Sequence, residues 1–183
     1  MTTFVALLRG INVGGNRRLP MTDVRRWVTE AGATEVVTYI QSGNVVLRHP
    51  GRSAGTLRDD LERRIEAATG WDIAVVVRTA AEWADLVAAN PFPDAAPTSL
   101  HVACYRDPPA AGTLDALDLA AHAPETCALV GAQLYLHLPN GMGRATLPVA
   151  LAKLRPGPGA APLVTTVRNW RTVTTLLDLS SGR

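Results

Sequence analysis

Aromatic residues make up only 5% of this chain, and its 183 residues include just two cysteines. No cluster of Phe or Tyr falls in an apolar run, so the stacking surface of an RNA-reading sheet is not indicated. Cys104 and Cys127 stand 23 positions apart, with no C-x-x-C and no His at metal spacing. That argues against a metal site and for two small buried hydrophobes in a reducing compartment, a catalytic thiol being the lesser alternative. Also missing is any apolar run of the ~18 residues that a membrane helix needs, and Met1-Thr2-Thr3-Phe4 places no charge ahead of the first apolar stretch. A cytoplasmic protein with no membrane partner, metal or cofactor is expected. Catalytic patterns are absent as well: His49, His101, His122 and His137 form no H-E-x-x-H, Ser42 lies in no G-x-S-x-G, and no carboxylate pair sits in a glycine-rich loop. The catalytic residues, if any, are unknown.

The chain does contain enough apolar residues for a core, 47%, with 19% charged, a balance that excludes disorder. Its net charge of +2 is unevenly spread. Residues 1–52 carry seven arginines against Asp23, Glu30 and Glu35, and no acid stands between Glu125 and Asp178, where Arg144, Lys153, Arg155, Arg168 and Arg171 lie. Clustered positive charge attracts phosphates or nucleic acid. Against this, 17 of the 18 basic residues are Arg, which reads equally as a compositional habit.

Hydrophobic periodicity lays out the elements. Thr3 to Leu8 is a continuous apolar run of the kind found in central strands, followed by a glycine-rich turn and a helix over about Pro20 to Ala31 with Met21, Val24, Trp27 or Val28 and Ala31 on one stripe. Val36–Ile40 and Val45–Leu47 form a hairpin through Gln41-Ser42-Gly43-Asn44. A second helix covers about Gly55 to Thr69, a fourth strand Ile73–Val77, and Thr79 with Glu82 makes a capping box for a short helix. Three prolines within Pro91–Pro97 mark a linker between residues 1–90 and 98–183. The order then repeats: strand Leu100–Tyr105, helix Thr113–Ala121, hairpin Thr126–Val130 with Gln133–Leu138, helix Leu147–Leu154, strand Leu163–Val167, and an added helix from Arg168 to Leu179. The expected fold is therefore α+β, two ferredoxin-like α-β plaits of β-α-β-β-α-β order with an extra C-terminal helix. Taking the first and third strands as parallel neighbours, the turn over 10–19 is expected beside His49-Pro50-Gly51-Arg52, with the hairpin Gln41–Asn44 at the opposite end.

Three blocks stand out: Arg9-Gly10-Ile11-Asn12-Val13-Gly14-Gly15-Asn16-Arg17-Arg18-Leu19-Pro20, Tyr39-Ile40-Gln41-Ser42-Gly43-Asn44-Val45-Val46, and Arg168-Asn169-Trp170-Arg171-Thr172-Val173. Together they resemble the signature of the family named DUF1697, a domain of unknown function, so the resemblance implies no activity. The first block fits neither named nucleotide motif. Asn16 and Arg17 stand where G-x-x-x-x-G-K-[ST] needs Lys and Ser or Thr, and Asn12 occupies the second glycine of G-x-G-x-x-G. Its backbone amides, ahead of a helix N-terminus and beside Arg9, Arg17 and Arg18, nonetheless make a candidate anion site. Equally, Gly14 and Gly15 can simply supply the turn while Asn12 bonds local backbone. Asn140-Gly141-Met142-Gly143-Arg144-Ala145-Thr146 repeats the device, with Thr146 as expected N-cap; the family pattern often has Ser-Lys in place of Ala145-Thr146, which leaves Arg144 as its only cation. Trp170 between Arg168, Asn169 and Arg171 can stack a ring or begin an amphipathic helix.

The candidate ligand-binding residues are thus Arg9, Asn12, Gly14, Gly15, Asn16, Arg17, Arg52, Arg144, Arg168, Asn169 and Trp170. The leading expectation is a small phosphorylated ligand. A structural or interaction module without a ligand and a weak nucleic-acid binder, which is not favoured, are the alternatives.

Overall fold

The computed structural model describes residues 1–14, 17–155 and 163–182. It is an α+β protein with two four-stranded antiparallel sheets and five α-helices. The chain divides into two compact units, one of Met1–Ala88 with Thr174–Arg183, the other of Ala89–Val173.

In the first unit β1 (Thr2–Leu8), β2 (Thr34–Tyr39), β3 (Asn44–His49) and β4 (Val75–Thr79) lie in the order β2-β3-β1-β4. Phe4, Ala6 and Leu8 join Val45, Leu47, Val75 and Val77 in a core with α1 (Met21–Glu30) and α2 (Ala54–Thr69). Val5, Leu7, Val46 and Val76, on the other face, are buried too. Burial on both faces is why the first strand reads as an unbroken apolar run. α1 buries Met21, Val24, Trp27 and Val28, the stripe expected from its spacing. The capping box of α3 (Ala80–Ala88) is formed: Thr79 N–H donates to Glu82 Oε2 at 2.7 Å and Glu82 N–H to Thr79 Oγ1 at 3.2 Å. The fourth strand begins two residues later than its apolar run, and its first amide, that of Val75, donates to Glu62 Oε1 at 2.7 Å.

Strand direction corrects the sequence expectation. β1 and β3 are antiparallel, pairing Leu7 with Asn44 and Thr2 with His49. The crossover through α1 leaves room for one strand between β1 and β2, and β3, hairpinned back from β2, fills it against both directions. The end of β1 therefore meets the β2–β3 hairpin, and His49 to Arg52 lie at the far end of a six-residue strand, on the order of 17 Å away.

At that far end Arg52 has other work. Asp60 is buried within α2, and its carboxylate takes Arg52 at 3.1 Å, Arg63 at 2.7 Å and Arg64 at 3.0 Å. Burial works to raise its pKa, yet the hydrogen bond and charge of Arg64, with the charges of Arg52 and Arg63, hold the carboxyl below its ordinary value. His49, also buried, accepts the Gly51 and Arg52 amides on Nδ1, both at 3.2 Å, while Nε2 lies 3.3 Å from the Ala31 carbonyl.

The second unit repeats the sheet order, with β6 (Thr126–Val130), β7 (Gln133–His137), β5 (Leu100–Tyr105) and β8 (Thr165–Asn169) in the sequence β6-β7-β5-β8. It does not repeat the helices. The expected helix Thr113–Ala121 is a run of turns bonded i to i+3, from Thr113 N to Ala110 O through Leu117 N to Leu114 O, ending in a 3-10 turn at Leu119–His122. Gly112 at φ +79 opens it, and Asp118 accepts the Ala120 amide at 3.1 Å, diverting the backbone from an α-helix. A spacing of three still puts Leu114 and Leu117 against the core, so the apolar pattern is satisfied by the tighter turns. The expected helix Leu147–Leu154 is shortened to α4 (Leu147–Leu151), and the last strand runs on to Asn169, so that α5 (Trp170–Ser180) starts two residues later than expected.

Asp60→Asn should cost about 2 kcal/mol, since three arginines would lose their anion, and lower the melting temperature by about 10 °C in a unit of this size. Because the folded carboxyl titrates below the unfolded one, its contribution is complete above roughly pH 4 and is lost as pH falls through the folded value. Thermal melts between pH 3 and 7 should therefore show the gap between wild type and Asp60→Asn closing at the acid end; a constant gap would refute the assignment.

Candidate functional site

The first two sequence blocks meet at one end of the first sheet. The Leu8 amide donates to the Gly43 carbonyl at 2.8 Å, extending the β1–β3 ladder into the hairpin. Asn12 then locks the two loops together. Its Oδ1 accepts the Leu19 amide at 2.8 Å, and its Nδ2 donates to the Leu19 carbonyl at 2.9 Å and to the Gln41 carbonyl at 2.6 Å. One planar amide offers an acceptor and two donors, which these three bonds use. Asn also tolerates the left-handed backbone found here, φ +55.

The remaining hairpin residues follow from the same junction. A Cβ on Gly43 would stand 2.8 Å from Leu8 Cβ and 2.9 Å from Ile11 Cδ1, on a backbone at φ +76. Asn44 is fully buried and its Nδ2 donates to the Tyr39 carbonyl and to Ser42 Oγ, each at 3.1 Å. The structural reading of Asn12 and of the Gln41–Asn44 block is thus accounted for residue by residue.

The arginines of the loop are not. Arg9, Arg17 and Arg18 are exposed. The Arg9 amide donates to the Ala74 carbonyl at 2.9 Å, and Arg17 Nη1 reaches the Asp72 carbonyl at 3.4 Å. Among the described residues none of the three has a carboxylate within ion-pair distance, whereas Arg26, Arg48, Arg52, Arg58, Arg63 and Arg64 all do. A cleft of about 450 Å³ is lined by Asn12, Arg18, Leu19, Pro20 and Gln41, so that Arg18 is the one arginine of the three on its wall. The α1 helix that begins there has no side chain capping its N-terminus. Gly14 is exposed with φ +60; Gly15 and Asn16 lie outside the described residues.

The other candidates do not join this site. Arg52 is held by Asp60 at the opposite end of the sheet. Arg144 is exposed in a 3-10 turn of the second unit, where the backbone amides already hold an anion. The carboxylate of buried Glu125 accepts Thr146 N–H at 3.0 and 3.1 Å and Leu147 N–H at 2.8 Å. Thr146, expected as the N-cap, makes no capping bond with its side chain and instead meets His122 Nδ1 at 2.8 Å. Glu125 escaped the sequence reading because its target lies 21 residues on; its place as the last acid before the basic tract is the one available hint. Arg168 is a buried strand residue, its Nη1 donating to Thr166 Oγ1 at 2.7 Å and the Val167 carbonyl at 2.8 Å. Burial pulls its pKa down to about 10, so it stays charged at neutral pH. Asn169 Oδ1 caps α5 by accepting the Thr172 amide at 2.8 Å, and Trp170 is the half-buried first residue of that helix.

No group of His, Cys, Asp and Glu suited to a metal occurs among the described residues, and burial raises the pKa of the Cys127 thiol, away from nucleophilic use. No helix is long and apolar enough to cross a membrane among the described residues.

These features define a two-unit α+β protein with a basic, open loop–hairpin junction in its first unit. The chain belongs to the DUF1697 family, described as a protein of unknown function, whose model matches residues 1–135 and so includes the first two blocks. Its fold is similar to that of the conserved bacterial protein SP0830 from Streptococcus pneumoniae, with a TM-score of 0.71 and 20% identity over 98% of each chain. No curated protein matches the sequence.

Asn12→Ala would strand the Leu19 amide and carbonyl and the Gln41 carbonyl, and should cost about 2 kcal/mol by urea denaturation. Gly43→Ala should cost about 2–3 kcal/mol, from left-handed strain and the Leu8 and Ile11 overlaps. Losses under about 0.5 kcal/mol for both would mean that the junction does not hold the unit together.

Proposed function

We propose that the loop–hairpin junction of the first unit binds a small anionic ligand bearing a phosphate. The observation that carries this reading is that Arg18 lines the cleft while Arg9 and Arg17 of the same loop are exposed, none of the three with a carboxylate at ion-pair distance among the described residues; Arg25 on α1 is likewise exposed without one, but it lies outside the loop. Guanidinium groups held near a cleft recognise phosphate through paired, charge-assisted hydrogen bonds. Leu19 and Pro20 line the cleft beside Arg18, and the uncapped start of α1 adds favourable potential. Gly14 belongs to the same loop. Arg52, Arg144, Arg168, Asn169 and Trp170 are left out of the proposed site, because each has a local role or lies in the other unit.

In this reading each unit is a variant of the ferredoxin-like plait. The shared order of strands, second-third-first-fourth in each unit, supports it, with the first crossover helix of the second unit reduced to turns. The two free cysteines suit a cytoplasmic setting. A ligand-free interaction module is the second reading, favoured by the fact that Asn12 spends both its amide N–H groups and an oxygen lone pair on the chain itself.

Thermal melts in inorganic phosphate, glycerol phosphate and nucleoside monophosphates should rise with ligand for wild type, by about 2.7 kcal/mol at a hundredfold excess over the dissociation constant. The double change Arg17→Ala with Arg18→Ala should abolish the rise without lowering the ligand-free melting point. If wild type melts at the same temperature in all three ligands at millimolar concentration, the ligand-free module is the correct reading.

A further inference from the structure

Two large aliphatic side chains stand out from the same junction. Val13 is 66% exposed and Ile40 53%. Each adjoins one partner of the 2.6 Å bond between Asn12 and Gln41, so the fold brings the two segments together although they are distant in sequence. Isolated exposed aliphatics need no explanation, but Ile40 is unusual in a second way. Its backbone lies at φ +49, a region that disfavours β-branched residues. A turn needing that conformation is met at lower cost by Asn or Gly, and an exposed side chain gives the fold little packing in return. Strain of this kind persists where something other than stability requires the residue.

The charged residues of the two segments themselves, 9–20 and 39–46, are all arginines, with Asp72 adjoining them through the bond from Arg17 Nη1 to its carbonyl. Arg9, Arg17 and Arg18 have no acid within ion-pair distance among the described residues. Exposed aliphatic tips beside unpaired cations combine the two signals that hold a soluble protein to an anionic bilayer: apolar side chains enter the headgroup boundary and arginines meet lipid phosphates. Val and Ile do not stack on bases, which makes single-stranded nucleic acid the poorer fit. We infer that the loop carrying Val13 and the hairpin carrying Ile40 dock on an anionic phospholipid surface, with a lipid headgroup as the phosphate in the cleft. This rests on the phosphate-binding reading above and names the source of the phosphate. Absence of a membrane-spanning helix does not bear on it, because nothing here crosses the bilayer.

Sedimentation with phosphatidylcholine vesicles containing about 30% phosphatidic acid tests the inference, with pure phosphatidylcholine as control. Wild type should bind the anionic vesicles and not the neutral ones, more weakly as salt rises. Val13→Asp with Ile40→Asp should weaken vesicle binding at least tenfold while leaving the phosphate-induced thermal shift intact. Ile40→Asn should weaken vesicle binding too, yet melt no lower than wild type, since it relieves the turn. Arg17→Ala with Arg18→Ala should lose both vesicle binding and the thermal shift. A thermal shift with phosphate but no vesicle binding overturns the lipid inference and leaves the phosphate reading standing; neither response overturns both. Vesicle binding unchanged in Val13→Asp with Ile40→Asp, or tight binding to a short RNA that ignores those substitutions, also overturns the lipid inference.

Discussion

The amide of Asn12 is the interaction on which the loop–hairpin end of the first unit depends. It closes the loop by gripping both backbone groups of Leu19, and it ties that loop to the hairpin through the Gln41 carbonyl. A carboxylate in its place could accept but not donate, and a hydroxyl could not reach in three directions. Gly43 is the counterpart constraint, because the close approach of Leu8 and Ile11 leaves no space for a Cβ.

Electrostatics divides the molecule's ionised groups into those used by the fold and those left over. Asp60 gathers three arginines at one end of the first sheet, and Glu125 saturates the amides at the start of α4 in the second unit. Each is a buried charge with enough partners to offset the cost of removing it from water. Among the described residues the loop arginines at the other end of the first sheet have no such carboxylate partner. Two strand-to-helix loops with similar composition therefore differ: the end of the 140–146 loop is met by the Glu125 carboxylate, whereas among the described residues no carboxylate reaches the arginines of the 9–20 loop.

Much of the architecture was legible from the chain alone. The unbroken apolar run of Thr3–Leu8, the stripe of Met21, Val24 and Val28, and the Thr79–Glu82 box are local patterns whose outcome depends on neighbours a few residues away. The absent helix at 113–121 shows the limit of such patterns. A spacing of three between Leu114 and Leu117 suits α and 3-10 geometry alike, and the choice fell to Gly112 and Asp118. Glu125 and Arg52 were misplaced or missed for a different reason, since their partners lie beyond any local window.

By itself the sequence determined the family, the succession of strands, and the residues, Asn12, Gly43 and the arginines, from which the candidate site is made. Only the tertiary structure decided which of those residues meet. Whether β3 runs with or against β1 reverses which loops share an end of the sheet, and no run of residues within either strand records that direction. It is settled by the crossover through α1, which leaves a strand-wide gap, and by the short hairpin that sends β3 back into it. That choice placed Gln41 rather than Arg52 beside Asn12, and with it the cleft, the exposed arginines and the two aliphatic tips at one end of the first sheet.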